Sequence, residues 1–229
     1  MKKELLIFGA SGALGNGVTE IFLRKNYDRI YLFDFKHKSI PNNEVKQILV
    51  KDLSVEENVK IAFSKVTPSE DTAFFLFSTV GGFTGGKMIW ETEVGYFDRM
   101  INMNLKTSFL IAKYFSLLVK ESHSGSICLT SAHTGLVAEP GKAVYGTSKA
   151  ALIHLIKSLA EDGKEINLSA NAIAPFIIDT PANREWMKDA DYEDWIKPGE
   201  IGEFVDSIFQ SYNLLSGNIF QLKYRFNKD

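Results

Sequence analysis

"LLIFGASGALGNG", residues 5–17, sets an apolar run of strand length directly before a glycine-rich turn that opens a helical pattern. Gly9, Gly12 and Gly15 let the chain turn tightly, let the backbone approach an anion and let the helix lie close on a sheet. A helix N-terminus leaves N–H groups without intrahelical partners, so Ser11, Gly12, Ala13, Leu14 and Gly15 together can hold a pyrophosphate. A glycine triplet by itself is weak evidence. Its place after the first apolar run, and Asp34 at the end of the second run about 20 residues on, make it specific for a dinucleotide. A carboxylate there can accept hydrogen bonds from the adenosine ribose hydroxyls and would repel a 2′-phosphate. The expected cofactor is therefore NAD or NADH, with NADPH less favoured. Lys36, His37 and Lys38 follow at once and either hold such a phosphate or are simply solvated.

Apolar runs of strand length occupy 4–9, 29–34, 46–52, 73–79, 126–131, 168–175 and 218–223, and helical periodicity fills 13–25, 54–65, 92–121, 145–162 and 200–213. Strands alternating with helices imply right-handed crossovers between parallel neighbours. The pattern predicts an α/β fold: a single domain over 1–229, built on a doubly wound parallel sheet of about seven strands with helices on both faces. Ser54 with Glu57 three residues later resembles a capping box for the second helix. Asp52 either meets the adenine edge or helps to cap that same helix. Residues 176–200 form one weakly periodic, lid-like insert carrying Trp186, Met187, Tyr192 and Trp195. A segment of this length covers a site, packs itself down through its aromatics, or does both.

A chain of 229 residues suits one full-sized domain, and a formal net charge of −2 gives no broad attraction for nucleic acid or an anionic membrane. A small-molecule substrate is the expected partner. The two lysines before the first apolar run imitate a secretion signal, but Glu4 and the glycines break the likeness. The longest apolar run, "TAFFLFSTV", suits a buried strand rather than a membrane span. The lone Cys128 reads as an inert core thiol and fits a reducing, cytoplasmic setting. His37, His123, His133 and His154 lack metal-ligand spacing, so no metal is expected.

Tyr145 and Lys149 stand four residues apart in "YGTSK" and project from one face of a helix. A free phenol, with a pKa near ~10, exchanges protons poorly at neutral pH. A nearby ammonium stabilises the phenolate, so Lys149 is expected to draw the Tyr145 pKa down and make it a proton carrier. The same lysine can bond the nicotinamide ribose.

With these residues in place the chain resembles the short-chain dehydrogenase/reductase family over essentially its whole length. The likeness is carried by the turn at 9–15, Asp34, Asp52 with Leu53, "NMNL" containing Asn104, "YGTSK" at 145–149 and "APFIIDT" at 174–180. It implies a Rossmann-type domain in which hydride passes between nicotinamide and substrate. Tyr145 would be acid or base, Lys149 would hold the ribose and Asn104 would support a proton relay. Asp52, Leu53 and Gly81 would lie along the cofactor, and Pro175, Ile178 and Thr180 would line the nicotinamide. The resemblance also implies a homodimer or homotetramer, paired through helices at about 100–121 and 145–162.

The departures narrow the reading. The family usually places a serine thirteen positions before the tyrosine, where this chain has Ala132 with Ser131 as its neighbour. Adjacent side chains on a strand point to opposite faces, so this offset matters unless the backbone bulges. Phe8, Ala13, "STVGG" and Phe176 also differ from the common pattern. "GASGALG", "VGGFTGG" at 80–86 and "DTPANREWMKDADYEDW" at 179–195 resemble instead the dihydropteridine reductase branch, which lacks that serine; Asn104 departs from the branch. The implied activity is NADH-dependent reduction of a quinonoid dihydropterin with Tyr145 as proton donor. Ser131, Ala132, His133, Phe83 and Trp186 are the candidate substrate residues. His133 either donates to the substrate or is merely solvated, and "GGFTGG" either serves the site or is a mobile loop. Two alternatives stand: a carbonyl or alcohol oxidoreductase, including one for 3-oxoacyl substrates, that recruits Ser131 through a bulge; and a protein that senses NAD(H) without catalysis.

Overall fold

Alternating side chains along Lys2–Phe8 (β1) divide the molecule into two cores. Leu5 and Ile7 face one side of the sheet and Leu6 and Phe8 the other, all four fully buried. The computed structural model describes residues 1–36 and 44–226, so His37 and Lys38 lie outside the described residues. With β1, the strands Arg29–Asp34 (β2), Val45–Leu49 (β3), Thr72–Ser78 (β4), Ser124–Thr130 (β5), Leu168–Pro175 (β6) and Ile219–Leu222 (β7) pair in parallel in the order β3-β2-β1-β4-β5-β6-β7. The central strand β4 is buried along its whole length, as a parallel strand covered on both faces must be.

The helices are Ala13–Phe22 (α1), Glu56–Phe63 (α2), Val94–Met100 (α3), Thr107–Lys120 (α4), Ala143–Asp162 (α5), Pro181–Trp186 (α6) and Pro198–Gln210 (α7). Val18 and Phe22 of α1 pack with Val205 and Phe209 of α7 over the Leu5 face. Residues of α2, α4 and α5, among them Phe63, Phe115 and Leu152, close the Leu6 face. Phe8 and Phe33 stack at 4.2 Å between ring centroids and tie β1 to β2 on that side. The doubly wound α/β arrangement is thus present, with about the expected strand number. Among the described residues no helix is long and apolar enough to cross a membrane.

Two local expectations fail. Ser54 and Glu57 do not form a capping box: Val55 is the N-cap, without a side-chain hydrogen bond. The Ser54 N–H instead donates to Asp52 Oδ1 at 2.8 Å, so the preceding aspartate organises the turn. The continuous helix expected over 92–121 is interrupted by a π turn at Ile101–Lys106. There Thr107 Oγ1 donates to the Asn102 carbonyl and Ser108 Oγ to the Asn104 carbonyl, a side-chain competition that loosens the regular backbone ladder.

The strand order reverses between β1 and β4, where ligands of open α/β sheets bind beyond the carboxyl ends of the strands. The segments that follow β1, β4, β5 and β6 carry most of the candidate residues.

Candidate functional site

The turn after β1 is defined by what it cannot hold. Gly9 has φ +81°, and a Cβ on it would lie 2.5 Å from Thr79 Oγ1; a Cβ on Gly15 would lie 2.0 Å from the Gly9 carbonyl oxygen. Only bare backbone permits this approach of α1 to β1. Thr79 Oγ1, 3.1 Å from the Phe8 carbonyl and 3.0 Å from that of Gly9, fixes the turn from the neighbouring strand. Gly12 caps α1 without a side-chain hydrogen bond, and no acidic residue stands in the first turn. The N–H groups of that turn, around Ala13 and Leu14, are available to an anion, so this cradle fits a dinucleotide pyrophosphate.

Asp34 is more committed than its sequence position suggests. It is only 8% exposed. Its Oδ1 accepts from Ser11 Oγ at 2.6 Å and Phe35 N–H at 2.7 Å, and its Oδ2 accepts from Ser11 N–H at 2.6 Å. Three of about four acceptor positions are therefore used within the protein, leaving one for a ribose hydroxyl unless Ser11 yields. Asp52 is exposed, and hydrogen bonds from Ser54 hold its carboxyl below the usual range. Leu53 points into the core, so only its backbone can meet a cofactor.

The π turn delivers Asn104 to the site fully buried. Its Oδ1 accepts from Gly82 N–H at 2.8 Å, while its Nδ2 donates to the Gly82 carbonyl at 3.0 Å and to Ser148 Oγ at 2.9 Å. Asn104 thus grips the loop after β4 at both polar groups of one residue and links it to α5. A Cβ on Gly81 would lie 2.8 Å from Asn104 Oδ1 and 3.1 Å from Lys149 Nζ, which leaves Gly81 no room for a side chain.

Lys149 is 4% exposed, and its Nζ donates to the Thr130 carbonyl at 2.8 Å. The ammonium lies 5.9 Å from the Tyr145 ring centroid. Burial lowers the Lys149 pKa to about 8, and burial together with the Glu139 charge raises Tyr145 to about 12. This corrects the expectation that the lysine draws the phenol down. Loss of water and the Glu139 carboxylate set the phenol, while the ammonium is directed at the end of β5. Glu139 is itself anchored: it accepts from Thr134 Oγ1 at 2.6 Å and Lys142 Nζ at 2.7 Å. Burial opposes its ionisation, but those bonds and the nearby charge of Lys142 and of His133 hold its carboxyl below the usual range.

Ser131 is buried, and its Oγ donates to the Lys149 carbonyl at 3.0 Å. The hydroxyl fastens β5 to α5 rather than facing a substrate. Ala132 is also buried, and His133 meets Phe176 edge-on at 5.1 Å. Phe83 packs edge-on against Tyr145 at 4.9 Å and against Trp186 of α6 at 4.7 Å, so the insert reaches the loop after β4. Trp195 and Ile196 are buried anchors, whereas Trp186 is 58% exposed. Pro175 ends β6 buried, Ile178 bridges to Ile196, and Thr180 Oγ1 accepts from Asn183 N–H at 3.2 Å as the N-cap of α6. That helix had a legible signal in threonine followed by proline at its start. Thr79, Glu139 and Ser148 carried none, since their roles depend on partners distant in sequence or on a fold not yet known.

Comparison with known proteins agrees with this geometry. The short chain dehydrogenase family model matches residues 3–191. A dihydropteridine reductase of Dictyostelium discoideum is 33% identical over 205 residues, covering 89% of this chain and 86% of that protein. The chain belongs to the short-chain dehydrogenase/reductase family of NAD(P)-dependent oxidoreductases. Among solved structures, a short chain dehydrogenase family protein from Francisella tularensis superposes with a TM-score of 0.81 at 17% identity, covering 97% of this chain and 98% of that one. ElxO with NADP bound gives a TM-score of 0.80 at 22% identity with the same coverage. These two likenesses bear on the fold.

Proposed function

We propose that the chain is an NADH-dependent reductase of a quinonoid dihydropteridine-like substrate, with Tyr145 as the proton donor. The observation that carries this reading is the aromatic cover: Tyr145 lies edge-on to Phe83, and Phe83 packs on Trp186, a setting that suits a flat conjugated ring. Reduced nicotinamide, when bound, supplies the hydride. The glycine turn would hold its pyrophosphate, and Asp34 beside that turn favours a ribose without a 2′-phosphate. Gly81, Pro175, Ile178 and Thr180 would flank the nicotinamide half.

Tyr145, raised to about 12, carries its proton at neutral pH, and to donate it needs the Lys149 ammonium to stabilise the phenolate during transfer. Lys149 would hold the ribose and steady the phenolate left behind, and Asn104 would keep the Gly82 backbone in register with both. The likeness to a dihydropteridine reductase at 33% identity supports the substrate class. Carbonyl reduction through Ser131 is less well supported, because its hydroxyl is already given to the Lys149 carbonyl. The lone buried Cys128 suits a cytoplasmic setting. Pairing through α4, which exposes Phe109 and Leu117, together with α5 is the proposed route to a homodimer or homotetramer.

Turnover of quinonoid dihydropterin with NADH, measured beside a panel of ketones and 3-oxoacyl thioesters, tests the reading. Activity confined to the panel and abolished in Ser131→Ala would overturn it.

A further inference from the structure

Three polar side chains follow the body of β5 in close succession: Ser131, His133 and Thr134. Two are spent inside the protein, since Ser131 donates to the Lys149 carbonyl and Thr134 to the Glu139 carboxylate. The third is not. His133 Nδ1 is shut off from solvent and has no hydrogen-bond partner among the described residues. A buried polar atom left in this state is uncommon, because it has lost water and gained nothing in exchange. Its surroundings place it at the site rather than in a remote packing defect. The residue lies just beyond the carboxyl end of β5. Glu139 feels the His133 ring electrostatically, and its own charge acts on the Tyr145 phenol.

The cover over His133 is also informative. Phe176 follows Pro175 at the carboxyl end of β6 and meets the imidazole at 5.1 Å with the rings nearly perpendicular. Phe176 is itself about half exposed, so it screens the histidine without being locked into the core. An incoming polar group able to bond Nδ1 would compensate for displacing that contact.

We propose that His133 is a substrate-contacting residue whose imidazole Nδ1 bonds the polar edge of the heterocycle that Tyr145 protonates, with Phe176 as the partly exposed cover that sets the ring angle. This rests on the reductase reading above. The substrate class it selects is a flat ring bearing N–H or carbonyl groups along one edge, rather than a simple aliphatic ketone.

The test is steady-state kinetics with NADH and quinonoid dihydropterin on the full chain, with NADH affinity measured separately by fluorescence. His133→Ala should raise the substrate KM about tenfold, the loss of one hydrogen bond, with the NADH Kd unchanged. His133→Asn, which keeps a polar atom near Nδ1, should restore most of the affinity. A substrate KM within twofold of the parent in His133→Ala, an NADH Kd weakened as much as the substrate KM, or an Asn variant as poor as Ala would each overturn the assignment. If the parent protein reduces no dihydropterin, the functional reading fails on its own. Binding of dihydropterin to the NADH-loaded parent and His133→Ala proteins is then compared directly, and an equal Kd, or no binding by either, would overturn the role of His133.

Discussion

The turn after β1 and the rim after β5 both lie at the carboxyl edge of one sheet, yet they are built from different materials. At the turn the working groups are backbone N–H donors, and side chains matter chiefly by being missing, as at Gly9 and Gly15. Along the rim the candidate groups are side chains, and their state depends on partners already taken: Ser131 and Lys149 are bonded to backbone carbonyls and Glu139 to Thr134. A site made of backbone is fixed by local sequence. A site made of side chains is fixed only once distant strands and helices have met.

That contrast can be broken most sharply at the rim. Tyr145→Phe should cut kcat by about 10²- to 10⁴-fold, the usual worth of a placed general acid, while NADH binds as before. If single-turnover rates survive the substitution, the rim is not where the proton comes from. The turn should respond in the opposite way. Gly15→Ala forces a Cβ onto the Gly9 carbonyl, so NADH affinity should drop by tenfold or more, with a strain of about 1–3 kcal/mol lowering Tm as well. Calorimetric titration that finds normal NADH binding in that variant would remove the close approach as an explanation.

A pH profile sharpens the comparison further. Lys149 is charged below about pH 8 and neutral above it, because burial disfavours the ammonium. The free-enzyme kcat/KM should therefore fall as pH rises through about 8, and Lys149→Met should be slow with no such limb. A flat parent profile from pH 7 to about 9 would mean that the charge is not needed. The smallest effect belongs to Ser131→Ala. Losing one buried hydrogen bond should cost about 0.5–1.5 kcal/mol of stability, with kcat on dihydropterin within about threefold of the parent. A collapse of kcat without loss of stability would return Ser131 to the reaction.

The same division explains what could be read in advance. The seven strands and the helices on both faces follow from apolar runs alternating with 3.6-residue periodicity, and β2 and β6 were legible to the residue. The π turn was not, since Thr107 and Ser108 sit in an ordinary helical pattern and the Asn104 contact with Gly82 joins residues 22 apart. Ser54 with Glu57 matched a local motif but lost to Asp52, which offered the turn a closer acceptor. For the candidate site, residue identity and order were readable, but the state of each group was not. Nothing near Asp34 in sequence announces that Ser11 occupies both its oxygens, and the rise of the Tyr145 pKa comes from burial that only the assembled fold creates.

Cys128 sits in the middle of β5 with its side chain wholly enclosed, and burial pushes its thiol up to about 12. Maleimide or iodoacetamide dyes therefore have no native target in the folded state. A cysteine introduced at an exposed position of α6, such as Glu185, would be the one labelled site. Whether the insert moves over Phe83 could then be read from a single fluorophore, without first stripping the protein of its own sulfhydryl.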